Sequence, residues 1–187
     1  MRYHYHLKNL PFNFNSFQIV GVVCRYRGMA EAIIPLDLLT LHNPEFISWL
    51  KDVHYEISDI RYFESGPYVQ YDLHRDSQQS VNRDISNITK FNFIFCSYDS
   101  EMRWYRTKPG KDGYLYTNKV GEPIMGFLKD DCDVVYTTQA NSHCLINGGV
   151  IHDLQNGENK NINRKCYSIT INTSWNTAVE RLDQYIY

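Results

Sequence analysis

Short apolar, β-branched and aromatic segments, separated by polar turns, follow one another along the chain from about residue 56. Segments of this length and composition are typical of β-strands. A succession of about eight such segments predicts a mainly β fold, a sandwich or jelly roll. The predicted strands are Ile60–Phe63, Tyr68–Leu73, Phe91–Tyr98, Met102–Tyr105, Tyr114–Thr117, Asp133–Thr138, Cys144–Asn147, Val150–Leu154 and Cys166–Asn172.

The N-terminal part of the chain has a different pattern. Apolar residues at helical spacing predict a helix over about 44–54, with Asn43 as its N-cap and Pro44 at the first helical position. The apolar run 16–24 predicts a strand, and the segment 33–36 predicts a second strand that a proline cuts short.

The length of the chain favours a single domain. At 187 residues, with 43% hydrophobic residues, folding buries roughly 70% of the surface of the unfolded chain, enough for a core without disulfide or metal cross-links. We expect one domain over 1–187, with 1–55 as a lead-in of strands and a helix. Residues 106–131, rich in glycine and proline turns, are expected to be mostly loop, and 174–187 can form a closing helix.

Charge and cysteine usage narrow the function classes. A formal net charge of −2 lacks the basic character of a protein that grips a nucleic-acid backbone, although nucleic acid stays open as a substrate. No signal peptide or apolar stretch of membrane-spanning length is present in the sequence. The absence of Cys-x-x-Cys pairs argues against a disulfide framework or structural zinc, so a reducing, cytoplasmic location is expected. The five cysteines are at positions 24, 96, 132, 144 and 166.

Two histidines precede a carboxylate by two residues. On a strand, side chains at i and i+2 project from the same face and can converge on one ion, whereas on a helix they diverge. His54 and Glu56 lie at the end of the predicted helix, which favours a surface position. His74 and Asp76 follow an extended run and precede a polar stretch, so they are expected at a strand end that faces a loop.

A third ligand is expected further along the chain. His152 is the favoured candidate, and His143 is the alternative. Twelve residues after His152, a predicted strand opens with Arg164, and strand alternation places it on one face with Cys166, Ser168 and Thr170. A guanidinium near a hydroxyl is a good receptor for a small carboxylate. Two imidazoles and one carboxylate with open positions are the ligand set of non-haem Fe(II) oxygenases.

With these residues in place, the sequence resembles the iron(II)/2-oxoglutarate-dependent dioxygenases over about residues 56–172. It is most similar to compact, often phage-encoded members that resemble prolyl hydroxylases, in which a segment like 90–95 and a Trp-Tyr pair like 104–105 recur. The arrangement is also similar to the aspartyl/asparaginyl β-hydroxylase group. The matching motifs, in order, are His74-x-Asp76, His152-x-Leu154-x-Asn156 and Arg164-x-x-x-Ser168.

The resemblance implies a double-stranded β-helix, a jelly roll with a few flanking helices. It also implies that His74, Asp76 and His152 bind Fe(II) and that Arg164 and Ser168 hold the distal carboxylate of 2-oxoglutarate. Enzymes of this family hydroxylate a substrate C–H bond and release succinate and CO2.

The sequence leaves several alternatives open. The second anchor of 2-oxoglutarate is not fixed, and Asn92 and Tyr105 are the candidates. The substrate is a small molecule or a peptide of unknown identity, and the oligomeric state is open. Two other functions compete: a jelly-roll binding or structural module without catalysis, and a cupin-type metalloenzyme that does not use 2-oxoglutarate.

Overall fold

The computed structural model describes residues 2–13, 24–26, 28–76, 88–95, 100–118, 121, 123–158 and 163–186, with 24–26 described at the level of the backbone. The helices are α1 (Leu36–His42), α2 (Pro44–Asp52) and α3 (Trp175–Arg181). The strands are β1 (His4–His6), β2 (Cys24–Tyr26), β3 (Met29–Ile33), β4 (Ile57–Ser65), β5 (His74–Arg75), β6 (Ile88–Phe95), β7 (Glu101–Thr107), β8 (Tyr114–Thr117), β9 (Pro123–Gly126), β10 (Cys132–Gln139), β11 (Cys144–Asn147), β12 (His152–Gln155) and β13 (Arg164–Asn172).

These strands form two antiparallel sheets. The first sheet has the order β1-β11-β6-β13-β4-β3-β2, and the second has the order β10-β7-β12-β5-β9-β8. Along the chain, β4, β6, β11 and β13 of the first sheet alternate with β5, β7, β10 and β12 of the second. This strand order is that of a double-stranded β-helix, so the predicted jelly roll is confirmed. Strands β1–β3 extend the first sheet, and the β8–β9 hairpin extends the second.

The two faces of β13 divide the interior into two parts. Tyr167, Ile169 and Ile171 belong to a core that the first sheet forms with the helices, together with residues such as Phe46 of α2. Cys166 faces the other way, into the space between the two sheets, where it packs with a second core. The alternation predicted for this strand is therefore the one observed, and it turns Arg164, Ser168 and Thr170 between the sheets.

The predicted helix over 44–54 corresponds to α2, but Asn43 does not cap it with its side chain. Its amide oxygen instead accepts a hydrogen bond from the backbone N–H of Asn13 at 2.7 Å. The prediction of a strand over 33–36 is wrong beyond Ile33, where β3 ends. Pro35 instead precedes α1, a position at which its missing N–H is not needed.

Two other segments also differ from expectation. The predicted strand Tyr68–Leu73 is irregular apart from a single bridge between Gln70 and Gln155. The region 106–131 contains the β8–β9 hairpin rather than being mostly loop. Most of the predicted strand 16–24 lies outside the described residues.

The described cysteines Cys132, Cys144 and Cys166 are free thiols. No helix in the described part of the chain is long and apolar enough to cross a membrane.

Candidate metal centre and acid-binding cavity

His74, Asp76 and His152 meet at one point between the two sheets. One potential ligand atom from each lies within 4.8 Å of the other two, and they form the only such His/Cys/Asp/Glu group among the described residues. Nε2 of His74 is 3.7 Å from Oδ1 of Asp76, and Nε2 of His152 is 3.7 Å from Oδ2. The arrangement is that of three monodentate ligands around a small ion.

The sheet itself brings the two histidines together. Strands β5 and β12 are antiparallel neighbours in which His74 lies directly opposite His152. Each imidazole uses Nδ1 for a backbone carbonyl, His74 with Asp72 at 2.7 Å and His152 with Val150 at 2.8 Å. Donation from Nδ1 leaves the Nε2 lone pair free for a metal, and it fixes the ring orientation.

A glycine makes room for the third ligand. The backbone N–H of Asp76 donates to the carbonyl oxygen of Gly148 at 3.1 Å. A Cβ atom built on Gly148 would collide with Oδ2 of Asp76 and would come within 3.1 Å of Ile88. Only a residue without a side chain therefore lets the Asp76 carboxylate stay in its present position.

The charges around the centre keep the ligands in the form that binds metal. Burial opposes ionisation of Asp76, but the charge of Lys90, joined at low pH by protonated His152 and His74, outweighs it and holds its pKa well below the usual range. The ammonium of Lys90 is 2.8 Å from Oδ2 of Asp76. Burial and the neighbouring His74 lower the pKa of His152 to about 4. At neutral pH His152 is therefore a neutral imidazole and Asp76 a carboxylate.

Arg164 lies deeper between the sheets, at the first residue of β13. It is buried, and its Nε has no hydrogen-bond partner among the described residues. Burial raises the pKa of the Cys166 thiol, while the positive charges of Arg164 and Lys90 act in the opposite direction. Cys166 is two residues after Arg164 on β13 and packs in the core between the two sheets.

Tyr71 completes this deeper region, although no sequence pattern predicted it. Its hydroxyl is buried without a hydrogen-bond partner among the described residues. Burial raises its pKa, and the charge of Arg164 opposes that shift. The backbone N–H of Tyr71 donates to Leu154 at 2.8 Å. Leu154 is two residues beyond His152 on β12, so this level is about 7 Å deeper than the metal ligands.

The other predicted acid-binding residues divide into two groups. Ser168 and Asn92 are directly opposite each other on β13 and β6. Both are buried, and Oδ1 of Asn92 has no partner within the described part of the chain. The structure therefore brings Asn92, Ser168 and Arg164 to the same interior space.

Tyr105 does not reach this space, which corrects the prediction that it anchors 2-oxoglutarate. Trp104 lies opposite His152 and shares its face, so the next residue, Tyr105, projects from the other face of the sheet. There its hydroxyl donates to Oδ2 of Asp153 at 3.0 Å. The same carboxylate accepts two hydrogen bonds from Arg103, at 2.9 and 2.8 Å.

The alternative histidines also lie elsewhere. His143 packs against Phe93, with ring centroids 5.7 Å apart, on the face of β6 that belongs to the helix-covered core. His54 is exposed and follows the end of α2. Neither belongs to the group formed by His74, Asp76 and His152.

Of the two residues absent from the prediction, Lys90 and Tyr71, only Lys90 could have been found from the alternation of polar and apolar positions along its strand. Lys90 is two residues before Asn92 on β6, so it shares the inward face of that strand. The polar positions 90 and 92 alternate with Phe91, Phe93 and Phe95, which pack in the helix-covered core. Tyr71 had no comparable signal, because its segment is irregular.

No protein-family model matches the chain, and no curated protein matches its sequence. Solved structures that resemble it include YcfD, a ribosomal oxygenase from Escherichia coli, which is 13% identical over 89% of this chain and 37% of its own, with a TM-score of 0.42. An oxalate decarboxylase variant from Bacillus subtilis is 7% identical over 94% of this chain and 31% of its own, with a TM-score of 0.39.

The viral collagen prolyl hydroxylase of Paramecium bursaria chlorella virus-1, solved with 2-oxoglutarate, is 8% identical. The match covers 79% of this chain and 82% of that one, with a TM-score of 0.38. The chain thus spans less than half of the YcfD and oxalate decarboxylase chains. The strand order of the two sheets, rather than these distant likenesses, defines the fold.

Proposed function

We propose that the protein is an Fe(II)- and 2-oxoglutarate-dependent dioxygenase that hydroxylates a small-molecule or peptide substrate and produces succinate and CO2. One observation carries the proposal. A His-Asp-His group that can hold a metal shares the space between the two sheets with a buried arginine whose Nε has no hydrogen-bond partner among the residues that the structure describes.

The donor set fits Fe(II). Two neutral imidazole nitrogens and one carboxylate on one side of a metal leave the other side open, as in non-haem iron oxygenases. When bound, Fe(II) would activate O2, the oxidant, and 2-oxoglutarate would supply the two electrons that this activation consumes. The chain contributes His74, Asp76 and His152 as ligands, and Gly148 as the space in which the Asp76 carboxylate lies.

The deeper region fits a dicarboxylate. Arg164 offers a cation, and the Tyr71 hydroxyl can donate a hydrogen bond to the same carboxylate. The level of Tyr71 is about 7 Å below the metal ligands, a separation that a five-carbon diacid can bridge. Ser168 and Asn92, which lie opposite each other on neighbouring strands, provide polar groups along that path. Buried donors that lack a protein partner favour an acid ligand over a purely structural role.

Apolar side chains form part of the cavity wall beside the candidate metal ligands. Trp104 is fully buried and lies opposite His152, and Leu154 lies one inward position deeper on the same strand. Apolar groups at these positions strengthen the electrostatic interactions of the nearby ligands.

Titration of metal and cosubstrate in order tests the proposal. We expect Mn(II), used as a stand-in for Fe(II) that is less easily oxidised, to bind by calorimetry and 2-oxoglutarate to bind tightly only afterwards. Arg164→Leu should weaken 2-oxoglutarate binding by about 10- to 100-fold, because a charged hydrogen-bonding partner contributes about 1.5–3 kcal/mol. Arg106→Leu, which changes an exposed arginine on β7, is the matched control.

Turnover provides the second test. With Fe(II), 2-oxoglutarate and O2, the protein should form succinate slowly even without its substrate, and His74→Ala or Asp76→Ala should abolish it. Metal binding without any effect of 2-oxoglutarate would replace the proposal with a cupin-type metalloenzyme. Failure to bind Mn(II) or Fe(II) would favour a non-catalytic jelly-roll module.

A further inference from the structure

A pair of tyrosines lies beside the metal centre on the β8–β9 hairpin. In the second sheet, Gly126 of β9 is directly opposite both His74 of β5 and Tyr114 of β8. Residues that face each other across neighbouring strands share a face of the sheet. Tyr114, and Tyr116 two residues later, therefore project from the same face as the metal ligand His74.

Gly126 lets these rings come close to the metal centre. A Cβ atom at this glycine would lie 2.8 Å from Cζ of Tyr114 and 2.8 Å from Cε1 of Tyr116. The two ring centroids are 5.8 Å apart, with a tilt of 38° between the planes. The rings thus cover the glycine and form an aromatic wall, defined here as Tyr114 and Tyr116, next to His74.

The aromatic wall is bordered by a carboxylate. Burial, the charge of Asp72, the neighbouring Tyr114 and the charge of Asp76 together raise the pKa of Tyr116 to about 12. The Tyr116 ring lies against Gly126, which is directly opposite His74, and Asp72 is hydrogen-bonded to His74 through its backbone, so Tyr116 and Asp72 belong to the same part of the sheet. The backbone carbonyl of Asp72 accepts the hydrogen bond from His74, which places Asp72 immediately beside the metal centre.

Asp72 and Asp76 differ in their partners. Asp76 is paired with Lys90 at 2.8 Å. Asp72 is exposed, and no ion pair joins it to any cation in the described ranges. The nearest cation in sequence, Arg75, follows His74 on β5 and so projects from the opposite face. Within the described ranges, Asp72 is therefore an exposed carboxylate without an ion-pair partner on the same side of the sheet as the aromatic wall.

Asp72 is also one of the residues that line a groove. The groove has a volume of about 510 Å³ and is lined by Gly28, Met29, Gly66, Pro67, Tyr68, Val69, Gln70 and Asp72. A groove of this size can hold several residues of an extended peptide, whereas a free amino acid would need only the position beside Asp72.

We propose that the aromatic wall and Asp72 bind a positively charged group of the substrate, a lysine-like ammonium or an arginine-like guanidinium, and hold it beside the metal centre. The electron-rich faces of tyrosine rings attract cations, and a nearby carboxylate adds charge complementarity. The groove favours a peptide as the bearer of that cation. This inference rests on the proposed function, because it assigns the substrate of the same site.

Binding of matched peptides to the Mn(II)- and 2-oxoglutarate-loaded protein tests the proposal. The probes are a capped five-residue glycine peptide with a central lysine and the same peptide with norleucine, which has a similar alkyl chain but no charge. We expect the lysine peptide to bind at least about fivefold more tightly in calorimetry or NMR titration, a difference of about 1 kcal/mol. Equal affinities would overturn the proposal.

Three variants identify the residues responsible. Asp72→Asn and Tyr116→Ala should each bring the ratio of the two affinities close to one, whereas Asp112→Asn, at an exposed loop position, should leave it unchanged. A ratio that persists in Asp72→Asn would exclude this carboxylate as the cation site. The Mn(II) dissociation constant of every variant is measured in parallel, so that damage to the metal centre is recognised.

A single capped lysine tests the contribution of the groove. The five-residue peptide should bind more tightly than Nα-acetyl-lysine methylamide, and equal affinities would contradict the assignment of the groove to a peptide. Failure of the proposed function is distinguishable from these outcomes, since it appears in the separate titrations of Mn(II) and 2-oxoglutarate rather than in the preference between charged and neutral peptides.

Discussion

Two buried polar clusters of similar composition lie on opposite faces of β12. The inner cluster contains Asp76, Arg164, Tyr71 and Asn92, between the two sheets. The outer cluster contains Asp153, Arg103, Tyr105 and Gln70, on the other face of the second sheet. Each has an aspartate, an arginine, a tyrosine and a side-chain amide, so residue type alone does not distinguish a binding site from a structural network.

The clusters differ in how completely their polar atoms are paired. Asp153 is 1% exposed and accepts hydrogen bonds from Arg103, Tyr105 and Gln70. In the inner cluster, the Tyr71 hydroxyl, the Asn92 Oδ1 and the Arg164 Nε have no partner among the described residues. Folded proteins rarely leave buried polar atoms unpaired, so the inner cluster is the one that needs a ligand. The outer cluster already contains its own partners.

The largest expected effect comes from removing the centre of the outer cluster. Asp153→Ala should lower the free energy of unfolding by about 3 kcal/mol, because it leaves a largely buried guanidinium and two other donors without their acceptor. Urea unfolding followed by tryptophan fluorescence measures the change. Asp133→Ala, which removes a carboxylate that is 68% exposed, should cost almost nothing.

The comparison between the clusters would fail if Asp153→Ala were as stable as the Asp133→Ala control. In that case complete pairing would not indicate a structural role, and the unpaired atoms of the inner cluster would lose their significance as well.

Gly148→Ala should affect the inner cluster without a comparable loss of stability. The added methyl group collides with the Asp76 carboxylate, so Mn(II) affinity should fall by about 10- to 100-fold, as it does when the support of a metal ligand is disturbed. Calorimetric titration measures this change. Gly66→Ala is the matched control, because its Cβ would meet nothing closer than 3.8 Å. Wild-type metal affinity in Gly148→Ala would show that Asp76 is not a ligand.

The period of two placed Arg164 and Ser168 on one face of β13, so this part of the candidate site could be predicted from the sequence. The candidate metal ligands His74 and His152 were predicted from residue type and spacing, whereas the register of β5 against β12 brings them together. Strands β8 and β11 have the predicted bounds, since polar turns end their apolar runs abruptly.

The residue proposed as the second acid-binding group could not be predicted from the sequence, for two separate physical reasons. Tyr71 lies in a segment without regular pairing, where alternation does not fix the direction of a side chain. Tyr105 is on a regular strand, but its direction follows from the register of β7 against β12, which pairs Trp104 with His152. Register depends on contacts between distant segments, so the local pattern alone does not provide it.

Removing one hydroxyl from each cluster compares the two tyrosines directly. Tyr105→Phe should destabilise the protein by about 1–2 kcal/mol, because its hydroxyl donates to a buried carboxylate, and it should leave 2-oxoglutarate affinity unchanged. Tyr71→Phe should largely preserve stability, since within the described part of the chain its hydroxyl makes no hydrogen bond of good geometry, although Ser65 is nearby, and should weaken 2-oxoglutarate binding by about tenfold. The reverse result would assign the acid site to the outer cluster.

The smallest expected effect comes from a change at Lys90, whose ammonium forms an ion pair with Asp76 of the inner cluster. Its ammonium is 2.8 Å from Asp76 and competes with a metal for the same carboxylate. Lys90→Met keeps much of the side-chain volume and removes the charge, so Mn(II) should bind about fivefold more tightly, a gain of about 1 kcal/mol. The exposed Lys129→Met is the control. If the ion pair of Lys90 with Asp76 had a structural role, like that of Arg103 with Asp153, Lys90→Met would instead be less stable and would not bind metal more tightly. Tighter binding with preserved stability would therefore show that the inner cluster is organised around a ligand and not around its own contacts.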